Sequence, residues 1–398
     1  MKNVNRVVIC LHLFCVSLFS QPKMDSPIEQ ISNFERTFAL LNVGNWEYFV
    51  RNDGVQAQQP NGLAGGIFPK NTDVVVYQSG LIYGGFVDDI RDTTAVRLRV
   101  GGSTYGTGLQ PGRILVPGTA TALPVYGSPD EKNQWRIRRD WQQLQIGDSI
   151  LIREAALQNP TNNETQIITD AMQQEIIDQY QLDWETWPVE WGAPFIDHNQ
   201  NGVYDVGTDE PGIARADQVI WQVVNDAAAF DLYLSPPIGL EIQETFWTYN
   251  SEHFPFDQLI FMRYQLINKS GLRIDSMFVG QWCDSDIGSF VDDLAGCDRE
   301  LSLAYGYNGN SYDVDFQKLG LPAPAAGFQV LQGPVVAANA GSDVNRNGID
   351  DISERAVYNF RQTSPGFINL PMTSFAGFFI LLENRISTMI KRFNIITV

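Results

Sequence analysis

The residues with the most to offer chemically are oxygen ligands, and they come in two short runs. Asp197-His-Asn199-Gln-Asn201-Gly202-Val203-Tyr-Asp205 and Asp343-Val-Asn345-Arg-Asn347-Gly348-Ile349-Asp-Asp351-Ile-Ser-Glu354 share the pattern D-x-N-x-N-G. Side-chain oxygens at positions 1, 3 and 5, a glycine at 6 and a carboxylate at 9 are how a tight loop wraps Ca²⁺. In the second run Asp343, Asn345, Asn347, the Ile349 carbonyl, Asp351 and Glu354 occupy positions 1, 3, 5, 7, 9 and 12. In the first run Asp197, Asn199, Asn201, the Val203 carbonyl and Asp205 match, but position 12 is Thr208. Asp209 or Glu210 must then close the shell. With three or fewer carboxylates per loop, the expected affinity is on the order of 10⁻⁴ to 10⁻³ M. The competing reading is an Asn/Asp-rich turn whose side chains bond their own backbone. Two flanking helices are not evident at either run, so an EF-hand pair is not expected.

A third acidic group lies between two cysteines. Asp284, Asp286, Asp292, Asp293 and Asp298 fall within Cys283–Asp298, and Glu300 follows. Carboxylates this dense repel unless a cation or backbone N–H groups hold them, so the group is a possible metal site. A glycosidase pair would also use two carboxylates, but acids are too frequent here to single out two. Cys283 and Cys297 form an even pair in a chain that reads as exported, and a disulfide is the expectation, with two buried thiols as the alternative.

Other chemistry is absent from the sequence. There is no H-E-x-x-H and no G-x-S-x-G. The two histidines after residue 20, His198 and His253, are far apart in sequence, and neither context suggests catalysis. The Gly-rich stretch Gly101–Gly112 lacks the P-loop lysine and reads as a surface loop. Trp135, Trp141, Trp184 and Trp187 could form a sugar platform, although Trp at this density more often anchors a helix on a sheet. No catalytic residue is assigned.

Composition narrows the class. A hydrophobic fraction of 44% is that of a folded chain, while 34 Gly and 20 Pro suit β-structure with many turns. Lys2 and Arg6 ahead of the apolar run Val7–Phe19 read as a secretory signal, with Ser20-Gln21 as the cleavage point. That run is too short to span a bilayer. Its removal takes two bases and no acid, leaving 25 basic against 46 acidic residues. Such a surface repels nucleic acid and anionic membranes and attracts divalent cations. We therefore expect a secreted or outer-surface protein with Ca²⁺ as its cofactor. Glycans or other surface proteins are its possible partners, with no nucleic acid and no stable membrane span.

The elements that would position these residues are mostly strands. Asn45–Val50, Asp73–Tyr77, Leu81–Val87, Ala95–Val100, Gln218–Val224, Gly239–Tyr249, Gln258–Asn268, Ser276–Trp282 and Leu301–Tyr307 are apolar or alternating runs between turn residues. The alternation over residues 241–249 and 259–267 predicts strands with one buried face, and Asn268-Lys-Ser-Gly271 predicts a hairpin turn. Helices are expected over residues 26–42 and over Thr165–Tyr180, the latter capped by Thr165 and stopped by Trp187-Pro188. The predicted class is mainly β, with β-sandwich-like modules, short helical insertions and Ca-binding loops. The expected layout is a signal peptide over 1–20, an N-terminal β-rich module over 21–130 and a helical, Trp-rich connector over 131–190. A sandwich module with acidic loops over 191–335 and a calcium-loop segment over 336–374 follow. The apolar, basic end over 375–398 reads as truncated or frame-shifted.

Three stretches carry a resemblance. They are Val96–Ile114, with its Val-Gly-Gly-Ser-Thr-Tyr and Gly-Leu-Gln-Pro-Gly-Arg-Ile; Gly192-Ala-Pro-Phe-Ile-Asp197 through Asp209-Glu-Pro-Gly212; and Gly280–Tyr307. Over roughly residues 30–375 the chain resembles the N-terminal part of large secreted proteins of Bacteroidetes-type bacteria, often exported by the type IX system. The two loops are also similar to dockerin-like and thrombospondin-type-3-like calcium repeats. The resemblance implies an outer-surface or secreted location, usually with a C-terminal sorting domain, and no particular activity.

Overall fold

The computed structural model describes residues 34–91, 97–160, 167–251, 255–358, 361–381 and 390–397, with backbone alone from 376 onward. The expected signal peptide lies outside the described residues. The structure is mainly β, with 37% strand and 16% helix. In chain order the main strands are β1 (Phe38–Leu41), β2 (Glu47–Arg51), β3 (Val55–Gln56), β4 (Gly66–Ile67), β5 (Val74–Val76), β6 (Gln78–Val87) and β7 (Leu98–Gly102). They continue with β8 (Gln134–Arg138), β9 (Gln218–Asn225), β10 (Leu240–Thr248), β11 (Ile260–Asn268), β12 (Ile274–Asp284), β13 (Asp293–Asp298), β14 (Leu303–Asn308), β15 (Ala325–Gln329), β16 (Ser374–Leu381) and β17 (Ile390–Thr397). Two helices matter for packing, α1 (Ser149–Gln158) and α2 (Asp170–Glu185).

The larger sheet runs β16-β17-β12-β6-β3-β2-β4-β5, with β1 on β2 and β7 on β6; the second runs β8-β9-β10-β11. Their inner faces make the core of a sandwich. Tyr48, Val50, Val75 and Val76 of the first meet Ile220, Phe246 and Met262 of the second, and Leu81, Tyr83 and Val87 meet Val224, Leu240 and Ile242. Burying each large side chain stabilises by about 1.5–3 kcal/mol.

The second sheet is covered on its other face too. Trp135, Ile137, Val219, Trp221, Val223 and Trp247 point away from the sandwich and pack with Trp184, Trp187 and Trp191. Strand β10 is therefore buried along its whole length, not on one face as its alternation predicts. Helix α2 lies against β8, where the Asp183 carboxylate accepts the Arg136 N–H at 2.7 Å. An edge strand thereby gains a cap for an outward-facing donor. Of the four tryptophans that could form a sugar platform, Trp135 and Trp187 are buried and Trp184 is half-buried in this packing, as a helix anchored on a sheet requires, while Trp141 is half-buried in the separate cluster of α1 and α2.

Several expectations are corrected. Residues 26–33 lie outside the described residues, and the rest of the expected 26–42 helix contains strand β1, which pairs with β2. Its Phe-Ala-Leu-Leu run is covered on both faces, and such a run reads equally as helix or strand. Helix α2 begins later than expected, with Thr169 as its cap through a 3.2 Å bond from Met172 N–H. Helix α1 was not anticipated. The turn at Asn268–Gly271 does not close a hairpin, because β11 and β12 sit in different sheets. Modules 21–130 and 191–335 do not fold apart, since β6 pairs with β12 from Val87↔Ile274 to Gln78↔Asp284. Apart from these corrections, β17 pairs with β12 over Gly280–Cys283.

The expected disulfide is likewise corrected. Both cysteines are free: Cys283 is buried on β12 within the sandwich core, and Cys297 is exposed on β13 of a separate sheet. The two thiols occupy different environments, and burial raises that of Cys283 well above its ordinary value. Cys297 should react with maleimide in the folded protein, and Cys283 only on unfolding. Labelling of both cysteines in the unfolded protein only after addition of a reductant would contradict this assignment.

A polar row crosses the sandwich interior. Gln134, Gln222, Glu244 and Tyr264 stand opposite one another on β8, β9, β10 and β11. Gln134 donates to Gln222 at 2.7 Å, and Gln222 donates to Glu244 at 2.6 Å and to the Arg51 carbonyl at 3.1 Å. Gln56 donates to Tyr264 at 2.7 Å, and Tyr264 donates to Gln281 at 3.0 Å. Among the described residues the second oxygen of Glu244 has no hydrogen-bond partner. Burial pushes Glu244 up to about 7. Burial also pushes Asp226 up to about 6, although the N–H groups of Ile238, Gly239 and Leu240 hold its carboxylate.

Both carboxyls bind protons more tightly when folded than when unfolded. Their stabilising contribution is full below the unfolded values and is lost as pH rises through 6 to 7. The thermal midpoint should fall between pH 5 and pH 8. Glu244→Gln should flatten that slope and stabilise the protein at pH 8 by up to about 3 kcal/mol. A calorimetric pH series tests this, and an unchanged slope in the variant would refute it.

Candidate metal centre

The two D-x-N-x-N-G runs fold into matching loops. At position 4 of each, Gln200 and Arg346 adopt φ of 60°, and at position 6 Gly202 and Gly348 adopt 80° and 82°. The glycine is needed because a side chain is strained there. The position-1 carboxylate then accepts two main-chain donors. Asp197 takes the N–H groups of Asn201 and Gly202 at 3.2 and 2.8 Å, and Asp343 takes those of Asn347 and Gly348 at 2.9 and 3.0 Å. The position-5 amide oxygen accepts the N–H at position 7, from Val203 at 2.7 Å and from Ile349 at 2.8 Å.

In each loop two asparagine amides converge on one carboxylate. Asn199 and Asn201 donate to Asp205 at 2.7 and 2.6 Å. Asn345 donates to Glu354 at 2.7 Å, and Asn347 donates to its other oxygen. The remaining carboxylate of each loop acts on the backbone instead. Asp209 accepts the N–H groups of His198 and Asp205 at 2.9 and 2.8 Å. Asp351, wholly buried, accepts Val344 N–H at 3.0 Å and the Ser342 hydroxyl at 2.7 Å. The loops thus exchange roles in sequence. Position 9 faces the amides in the first and ties the backbone in the second. Glu210 turns to His198 at 3.3 Å and Arg139 at 3.6 Å.

The first loop is clamped at its base by Phe195↔Pro211 and Ile196↔Glu210. Val203 and Ile349, whose carbonyls occupy position 7, are both exposed. Among the described residues no three His, Cys, Asp or Glu side chains gather closely enough to hold a metal ion. Any cation here would depend on two carboxylates, two amides and one carbonyl per loop.

The third acidic group is split. Asp284, at the end of β12, is buried and accepts the Tyr105 hydroxyl at 2.6 Å. Asp293 accepts Ile287 N–H at 2.7 Å; burial, with Asp286, Asp292 and Asp313 close by, pushes it up to about 7. Asn310 donates to Asp292. Asp298 stands at the far end of β13, roughly 17 Å along the strand from Asp293, and accepts Glu300 and Leu301 N–H at 2.9 and 3.0 Å. Asp313, which caps the short helix Val314–Lys318, belongs to this neighbourhood and was not anticipated, because it lies well outside the cysteine interval.

The chain matches no protein-family model, no curated protein and no solved structure.

Asp351→Ala removes the buried carboxylate that accepts the Val344 N–H and the Ser342 hydroxyl, which should destabilise its loop by about 1–3 kcal/mol. Amide exchange across residues 341–354 should accelerate. Unchanged exchange would show that the loop does not depend on this carboxylate.

Proposed function

We propose that this is a secreted or cell-surface structural or adhesive protein whose two D-x-N-x-N-G loops take up Ca²⁺. The observation that carries the reading is the convergence of two amides on one carboxylate in both loops, with the first aspartate beside them. Asp197 and Asp205 in one loop, and Asp343 and Glu354 in the other, would supply the charged oxygens. The amides of Asn199, Asn201, Asn345 and Asn347 would turn their oxygens inward, and the Val203 and Ile349 carbonyls would add one neutral ligand each. Calcium would relieve the repulsion between carboxylates and fix the loop, so binding and folding are linked. The charged N-terminal stretch followed by an apolar run supports export, and the formal charge of −19 supports a cation-binding surface. Surface proteins and glycans are the partners this reading favours. Its likeness to type IX-exported surface proteins stays part of the proposal. Among the described residues no helix is long and apolar enough to cross a membrane.

Thermal unfolding in millimolar CaCl₂ and in excess EDTA tests the reading. With calcium roughly tenfold above the dissociation constant, each site should add about 1.4 kcal/mol. Asp197→Ala and Asp343→Ala should each remove one share of the gain. Identical midpoints in CaCl₂ and EDTA would reduce both loops to side-chain-bonded turns.

A further inference from the structure

Strands β13, β14 and β15 form a separate three-stranded sheet, and on one of its faces Ala325, Gly327 and Gln329 of β15 are all exposed. Ala304 and Gly306 of β14 turn inward and are buried, while Leu303, Tyr305 and Tyr307 face out. In register, Tyr305 has Gly296 on one side and Gly327 on the other. Both glycines leave room for side chains to lie flat. A methyl at Gly296 would stand 2.7 to 2.8 Å from the Tyr305 ring, and one at Gly327 would stand 3.1 Å from Leu303 Cδ1. The Tyr305 ring therefore lies across β13. Tyr307 stands beside it, with ring centroids 5.8 Å apart at 43°, and is 37% exposed.

The same device recurs inside the core. Tyr83 lies over Gly101, where a methyl would stand 2.5 to 2.8 Å from its hydroxyl and ring. There the ring is sealed between the sheets, and the arrangement is packing alone. At Tyr305 one ring face rests on the glycine and the other is turned to the open side of the sheet.

We propose that this tyrosine face binds a neutral glycan chain. A pyranose ring presents an apolar C–H face to a flat aromatic surface and hydroxyls to its rim. Tyrosine offers the matching combination of a broad apolar body and a polar tip. The Gln329 side-chain oxygen, opposite Leu303, supplies a further acceptor at the edge, while its amide N–H donates to the Leu301 carbonyl at 3.0 Å. Charge selects among glycans. Asp298 and Glu300 at one end outnumber Arg299, and Asp292 lies at the other end, in a chain of formal charge −19. Such a rim repels anionic polysaccharides. None of these side chains belongs to either D-x-N-x-N-G loop, so the platform stands independently of calcium.

Affinity electrophoresis of the full chain through gels containing galactomannan, xyloglucan or mixed-linkage β-glucan tests the proposal, with alginate as the anionic comparison. At least one neutral polymer should retard the protein, and alginate should not. Tyr307→Ala and Tyr305→Leu should each weaken the interaction tenfold or more, with the thermal midpoint of Tyr307→Ala unchanged. Leucine keeps an apolar cover over Gly296 while removing the flat ring. If Tyr305→Leu fails to fold, Tyr307→Ala decides. No retardation by any neutral polymer, or equal retardation of wild type and Tyr307→Ala, would overturn the proposal. So would a doubling of mass in sedimentation that is lost in Tyr307→Ala, since a second copy would then occupy the face.

Discussion

A polar row enclosed between two apolar layers sets the register of this fold. Gln222 and Glu244 are buried where the two sheets meet, and each needs a partner from the facing sheet or a neighbouring strand. An unpaired buried donor or acceptor costs about 1–3 kcal/mol. Apolar side chains tolerate small slips between packed sheets, but the contacts of Gln222 with the Arg51 carbonyl and of Gln56 with Tyr264 do not. A second buried network repeats the logic one layer out. Gln218 accepts from the N–H groups of Asn42 and Val43 and donates to Tyr180 on α2, and Tyr180 in turn bonds Glu154 on α1. The helices are thereby tied to both sheets by bonds with fixed direction.

Much of the strand content was legible because turn residues mark off the apolar runs. Residues 218–224 and 239–249 are close to β9 and β10 for that reason. Strand identity did not extend to strand partnership. The run closing at Asn268 and the one opening soon after look like a hairpin in sequence, yet they feed opposite layers of the sandwich. Local pattern encodes which face is apolar, and it does not encode which sheet that face meets. Helix α1 was missed because Ser-Ile-Leu-Ile-Arg opens like a short strand, and its helical stripe is completed only by packing against α2. The tryptophans were legible as an aromatic group, but their burial depended on a helix placed over the far face of the second sheet.

The loops show a similar limit. Their ligand pattern is visible in the sequence, position by position. The division of labour between carboxylates is not, because it depends on where the chain goes after position 8. In the first loop the chain returns to pair with residues just ahead of it, which brings Asp209 under the backbone and leaves Asp205 facing the amides. In the second a short 3-10 turn follows at once, which pulls Asp351 inward and lets Glu354 reach back. Thr208 at position 12 is thus matched by a different closing residue in space.

The pairing of β6 with β12 has a kinetic consequence. Ile82 and Gly280 are neighbours in the sheet, yet roughly 200 residues of chain separate them, and loop-closure entropy must be met before such contacts can form. The larger sheet cannot be completed until most of the polypeptide is present. On the proposed reading of an exported chain, this topology would delay commitment to structure, because the emerging N-terminal strands lack the neighbour that would lock them. The longest-range strand pairing among the described residues would then act as a timer set by chain length.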